Sequence, residues 1–120
     1  MNNKFYVSLD AARLIKEKWY DIKRYFLTPV YKENGNLYWS NHEDLSDYIP
    51  AITKAESIDW LESKGLIIDT IYYSNRANNR GKWSAHINRK DSWAYMDIGE
   101  YYQTRLEAEE AAIIKALELL

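Results

Sequence analysis

TRLEAEEAAIIKALELL, running from Thr104 to Leu120, is the stretch whose reading decides the fold of this chain. Thr104-Arg105-Leu106-Glu107 has the form of a capping box, in which a threonine hydroxyl takes an orphan helix N–H and a glutamate follows three residues later. Beyond it Leu106, Ala112, Ile113, Ala116, Leu117 and Leu120 gather on one side at helical spacing, and Glu107, Glu110 and Glu118 face away. Ile114 falls on the acidic side, and Glu109 falls among the apolar positions of the first, least buried turn. The stretch is therefore predicted to be an amphipathic helix packed across a sheet.

Working upstream, three β-rich runs supply that sheet: Leu66–Tyr73 (LIIDTIYY), Trp83–Asn88 and Trp93–Ile98. A polar loop, Ser74–Lys82, and a turn, Arg89–Ser92, separate them. Thr53-Lys54-Ala55-Glu56 is a second capping box. The helix it opens carries Ala55, Ile58 and Leu61 on one face and is expected to stop at Gly65, a favourable residue just past a helix end.

The first part of the chain reads as helix, strand and hairpin. Ser8 is the expected N-cap of a helix over Leu9–Lys18, with Asp10 in the first turn and Ala11, Ala12, Leu14 and Ile15 as its apolar stripe. Trp19 to Tyr31 alternates like a strand, with Tyr20, Ile22, Arg24 and Phe26 on one side and Asp21, Lys23, Tyr25 and Leu27 on the other. Pro29 cannot donate to a ladder, which predicts an edge strand or a break. Asn34-Gly35 is the strongest hairpin signal and should join Val30–Lys32 to Leu37–Trp39. Asn41 to Pro50 is polar and acidic and reads as a loop or a short helical turn.

The predicted architecture is thus α+β: one antiparallel or mixed sheet of about five strands with three helices on one side. Residues 1–120 are expected to form a single domain, with a helix and hairpin over 1–49 and an α-β-β-β-α part over 50–120. Apolar residues at 47% and charged residues at 28% are a globular composition. The chain has no cysteine, which removes disulfides, thiolate metal sites and cysteine nucleophiles and suits a reduced cytoplasm. No apolar run approaches the roughly 18 residues that cross a bilayer, and MNNKFYVSLD lacks the apolar stretch of a secretory signal, so the expectation is a cytoplasmic protein without a membrane partner. Five Trp and eleven Tyr against two Phe suit a thin, half-buried sheet and leave aromatics for a binding face.

From about Pro50 to Leu120 the element order, the length and the closing helix EAEEAAIIKAL resemble the double-stranded-RNA-binding domain. In that family a Ser-Lys-Lys-x-Ala-Lys motif opens the last helix and its lysines straddle duplex phosphates. Here the serine position is Thr104, the lysine positions are Arg105, Leu106 and Glu109, and the alanine is Ala108. The family's Gly-Pro-x-His loop is replaced by Ser74–Lys82. The whole chain also resembles short uncharacterised proteins of phages and prophage-like elements of gut bacteria, through Tyr6-Val7-Ser8-Leu9-Asp10-Ala11-Ala12-Arg13-Leu14-Ile15-Lys16-Glu17-Lys18 and Trp60-Leu61. That resemblance implies an accessory protein and carries no mechanism.

Function is bounded mainly by what is absent. Net charge is −2, so a nucleic-acid contact needs a local patch. One exists in the sequence: Thr70 to Lys90 has no acid and carries Arg76, Arg80, Lys82, Arg89 and Lys90, with Trp83 and His86 among them. With Arg105 these residues, Trp83 included, are the candidate nucleic-acid site. His42-Glu43-Asp44 with Asp47 lacks the spacing of a calcium loop or a zinc protease, and Gly81-Lys82-Trp83 is no nucleotide loop. His86 beside Trp83 reads as a structural histidine, and Asp97 with Glu100 has nothing to fix it as an acid pair. No catalytic residue, metal site or cofactor is expected. The favoured reading is a non-catalytic protein that binds another protein through aromatics such as Tyr72, Tyr73, Tyr95, Tyr101 or Tyr102; the alternative is nucleic-acid binding by the basic stretch.

Overall fold

The structure is a computed structural model that describes residues 3–18, 28–32, 35–40, 49–74, 80–92 and 95–120. After a single 3-10 turn at Asn3–Phe5, helix α1 runs over Leu9–Lys18 as its pattern predicts. The Ser8 hydroxyl accepts from the Ala11 N–H at 3.2 Å, and Ala11, Ala12 and Ile15 are buried. Strands β1 (Thr28–Tyr31) and β2 (Leu37–Ser40) form the expected hairpin, in register Val30 to Tyr38, around Gly35 at φ 84°. The alternation read over residues 19–27 lies outside the described residues.

Two expectations fail here. Ile49–Pro50, expected in a loop, is a short strand β3 that pairs with β1, so β1 is central in the order β2-β1-β3 and not an edge. Pro29 is tolerated for a geometric reason. A residue's N–H and C=O leave an antiparallel strand on the same side. The Pro29 carbonyl accepts from the Ala51 N–H at 2.9 Å, so its missing N–H also lies on the β3 side. The β2 ladder loses nothing, and the two-residue β3 ladder ends one pair short of Pro29.

Helix α2 covers Lys54–Ser63, with the Thr53 hydroxyl accepting from the Glu56 N–H at 3.1 Å. Its buried side is Lys54, Ser57 and Leu61, with Ile58 half-buried; Ala55, expected on the inner face, is exposed. Gly65 (φ 88°) turns the chain into β4 (Leu66–Tyr73), which pairs along its whole length with β5 (Lys82–Arg89), and β5 pairs with β6 (Tyr95–Asp97). Helix α3, Arg105–Glu118, closes the chain behind an N-cap at Thr104. The strands thus form two three-stranded antiparallel sheets, β2-β1-β3 and β4-β5-β6, and not one sheet of five.

Cross-strand partners share a face, so Ile68, Ile87 and Met96 line one side of β4-β5-β6. Helices α2 and α3 touch each other and that sheet, and α3 also touches α1. One buried cluster joins Val7, Ala11, Ile15 and Tyr31 to Ile52, Leu61, Ile87, Ile113 and Leu117, so both parts of the chain share a core.

The stripe of α3 holds at Ala112, Ile113, Ala116 and Leu117, all fully buried, but three residues depart from it. Leu120 is 43% exposed, beyond the helix end, where its carbonyl accepts from Lys18 Nζ at 3.0 Å. Ile114 is half-buried against the core and not outward. Glu110, expected to face away, turns inward: Oε1 accepts from the Ser8 N–H at 2.9 Å, and Oε2 is buried without a hydrogen-bond partner among the described residues. The physical reason is the start of α1, whose positive dipole end attracts a carboxylate supplied by another helix.

Candidate functional site

The first turns of α2 and α3 lie side by side, and a groove opens between them and the N-terminal turn. Two adjoining cavities make it up. One, of about 510 Å³, is lined by Lys4, Lys54, Trp83 and the α3 residues Thr104 to Glu107. The other, of about 490 Å³, brings in Phe5, Ala55, Ile58, Asp59 and Glu109, and shares Lys54, Arg105 and Leu106 with the first. Both helix starts are fixed by the same local chemistry: each threonine hydroxyl accepts from the glutamate N–H three residues on and donates to that glutamate's Oε1.

The walls are half apolar and half charged. Phe5 is 52% exposed, with Lys4 Nζ 5.1 Å from its ring centroid. Trp83 closes one end and packs against Tyr72, 50% exposed, with ring centroids 5.0 Å apart and planes tilted by 48°. The lining carries three cations, Lys4, Lys54 and Arg105, and three carboxylates, Asp59, Glu107 and Glu109. Arg105 Nε lies 3.3 Å from Glu109, whose side chain is only 15% exposed, which accounts for an acid in the apolar stripe of α3.

The sequence-predicted nucleic-acid residues do not form one patch. Arg76 lies outside the described residues. Arg80, Lys82 and Trp83 sit at one end of β5, and Arg89 and Lys90 at the other, roughly 24 Å away for an eight-residue strand. Lys90 Nζ lies 3.9 Å from Glu62, and Arg89 and Lys90 line a separate cavity with Lys64 and Leu119. Trp83 and Lys82 are strand neighbours and so point to opposite faces. Of the set, Trp83 and Arg105 meet in the groove.

The aromatic patch also divides. Tyr72 pairs with Trp83 on the groove side, and Tyr73 packs edge-on to Tyr101 at 5.2 Å on the other. The Tyr102 hydroxyl donates to Glu100 at 2.9 Å, and burial followed by that carboxylate raises its pKa. The Tyr95 side chain lies outside the described ones. His86 Nε2 is 3.4 Å from Asp97 Oδ2, and Asp97 Oδ1 accepts from the Gly99 N–H at 2.8 Å. Asp97 and Glu100 are therefore engaged separately and not with each other. His42 and the acids around it lie outside the described residues. Among the described residues no group of His, Asp or Glu is placed to hold a metal ion, and no helix is long and apolar enough to cross a membrane.

Sequence reasoning missed Lys4, Phe5 and Lys54. The available signal was Lys54 itself, a cation at the first position of a helix, where the dipole disfavours it. In comparisons with family models, curated proteins and solved structures, nothing matches the chain.

Proposed function

We propose that this chain is a non-catalytic accessory protein that binds another protein in the groove between the first turns of α2 and α3. The observation that carries the reading is the character of that groove: exposed Phe5, half-buried Ile58, Leu106 and Trp83, rimmed by equal numbers of cations and carboxylates. An apolar floor with aromatic ends and a mixed-charge rim suits a peptide segment. A polyanion requires a track of unbalanced cations instead, and here the basic residues of the 70–90 stretch fall at opposite ends of β5. Origin in a phage or mobile element is supported by the pattern from Tyr6 to Lys18. The order α2-β4-β5-β6-α3 supports a double-stranded-RNA-binding-like architecture for residues 50–120, carrying a different ligand.

The test is selection of peptides from a random library on the folded chain, with backbone amide shifts to map where they sit. Shifts confined to Phe5, Ile58, Trp83 and Leu106, lost in Leu106→Asp, are the expected result; peptides that map elsewhere overturn the assignment. A second reading is favoured by one feature, the Tyr72–Trp83 ring pair, two aromatics on one face of the β4-β5 hairpin, with Trp83 sharing a cavity with Arg105. Titration with duplex RNA, duplex DNA and single strands at low and near-physiological salt decides it. Binding that falls steeply with salt and vanishes in a variant with Arg80, Lys82 and Arg105 changed to alanine makes nucleic acid the ligand.

A further inference from the structure

Lys54 is only 8% exposed, yet its ammonium donates to a single acceptor, the Lys4 carbonyl at 2.7 Å. Among the described residues no carboxylate pairs with it. The side chain lines both cavities of the groove, so the ammonium lies at the groove wall with a carbonyl and no carboxylate beside it. Its position adds to the imbalance. Lys54 is the first residue of α2, Arg105 is the first residue of α3, and both therefore sit at the positive ends of helix dipoles. With Lys4 they line the cavity that ends at Trp83; there Arg105 is paired with Glu109, and Glu107 accepts from the Thr104 hydroxyl, which leaves Lys54 as the cation held by a carbonyl.

Resting on the reading of the groove as a protein-docking surface, we infer that its Trp83 end is a carboxylate site: it receives an acidic group of the partner that lies next to an aromatic or branched apolar one. The anion supplies the counter-charge that Lys54 lacks, with Lys4, Arg105 and the start of α3 around it. The indole of Trp83 and the side chain of Leu106 cover the apolar neighbour. Charge complementarity selects a single carboxylate over a phosphate chain. Asp59 lines the continuation of the groove, and Glu109 there already holds Arg105, so that end disfavours a ligand charged along its length.

The experiment compares two isosteric probes, N-acetylphenylalanine and its uncharged amide, titrated into the full, isotopically labelled chain. The acid is expected to shift the amides of Lys54, Arg105 and Leu106 and the indole of Trp83, and to bind about tenfold more tightly than the amide. Lys54→Met keeps the buried stem and should abolish the difference; Arg105→Gln, at an exposed position, should narrow it, and either variant's amide spectrum reports whether it is folded. Equal affinity for the two probes, or a difference that survives Lys54→Met, overturns the carboxylate site and leaves the groove as an apolar docking surface. Shifts from neither probe overturn the docking reading as well. Displacement of the acid by oligothymidylate, with steep salt dependence, overturns both in favour of nucleic acid.

Discussion

Helices α2 and α3 open with the same chemistry: a threonine N-cap, a cation at the first helical position and a glutamate two residues after it. Past that first turn they diverge. Helix α3 buries Ala108, Ala112, Ile113, Ala116 and Leu117 and touches α1, α2, β4 and β5, so most of its length is core. Helix α2 buries Leu61 but also Lys54 and Ser57, leaves Ala55 exposed, and touches α3 and β4. Identical caps therefore specify where a helix starts and nothing about what its face does. The face of α3 is devoted to packing; the first half of α2 shapes a groove.

The most direct way to break this comparison is to shorten an isoleucine on each helix. Ile113 is fully buried, and Ile113→Ala is expected to cost about 2–5 kcal/mol, the range for a large-to-small change in a core. Ile58 is half-buried in the groove wall, and Ile58→Ala should cost about 1 kcal/mol, in proportion to the apolar area it hides. Urea unfolding of both variants reads the difference. Equal losses would mean that the groove wall is as much a part of the core as α3.

A second test sharpens the role of α3 as the hub. Through Glu110 it reaches the start of α1, and the same carboxylate lies close enough to act on Tyr31, whose buried hydroxyl donates to the Val7 carbonyl. Burial first, and the Glu110 charge second, push the Tyr31 pKa up from its ordinary 10 to about 12. Between those values the unfolded chain has released a proton that the folded chain still holds. Stability from this group is thus complete below pH 10 and is lost as pH rises to about 12, by about 2 kcal/mol. Urea midpoints measured across that window should fall more steeply in the wild type than in Tyr31→Phe. Parallel slopes would place the alkaline sensitivity elsewhere, with Tyr102 the next tyrosine to test.

Much of the order of elements was legible because its signals are local. Two Thr-x-x-Glu boxes, Gly65 past a helix end and Gly35 in a hairpin each act within a few residues, and the helices and β4 start where those signals say. The partition into two sheets was not legible, because Ile49 and Pro50 find β1 across a long gap in sequence and offer only two residues of pattern. Glu110 reads as outward on a helical wheel, and only Ser8, 102 residues away, explains its inward turn. The site was half legible for the same reason. Trp83 and Arg105 were named from type and context, but Lys4, Phe5 and Lys54 join them only through tertiary packing. The basic stretch looked like a unit because its members are close in sequence, and an eight-residue strand then carried them apart.

A smaller effect tests whether the two helix starts are as alike as their hydrogen bonds. Thr53→Ala and Thr104→Ala each remove a hydroxyl that accepts from the glutamate N–H, at 3.1 and 3.2 Å. Each should cost about 1 kcal/mol in thermal or urea unfolding. A distinctly larger loss at Thr53 would show that its helix depends on the cap more than α3 does, as expected of the helix with the weaker apolar face.

The smallest expected change is the most informative about that shared opening. Lys54→Met removes an ammonium from the start of α2 and keeps its apolar stem, so the variant loses one hydrogen bond to the Lys4 carbonyl and sheds a cation that the helix dipole disfavours and no carboxylate balances among the described residues. The first effect costs about 1 kcal/mol and the second returns a similar amount, which leaves stability within about 0.5 kcal/mol of the wild type. Arg105→Gln, at the matching position of α3, should also fall within about 0.5 kcal/mol, since Arg105 is largely exposed and its pair with Glu109 lies at the rim. A loss well beyond 1 kcal/mol in Lys54→Met would make the ammonium a structural staple between α2 and the N-terminal turn. Its burial would then belong to the fold, and the asymmetry between the two helices would be one of packing alone. Near-neutrality instead means that a cation in the groove wall is retained without a stabilising role, which is the thermodynamic condition under which a ligand's charge, and not the fold, accounts for its place.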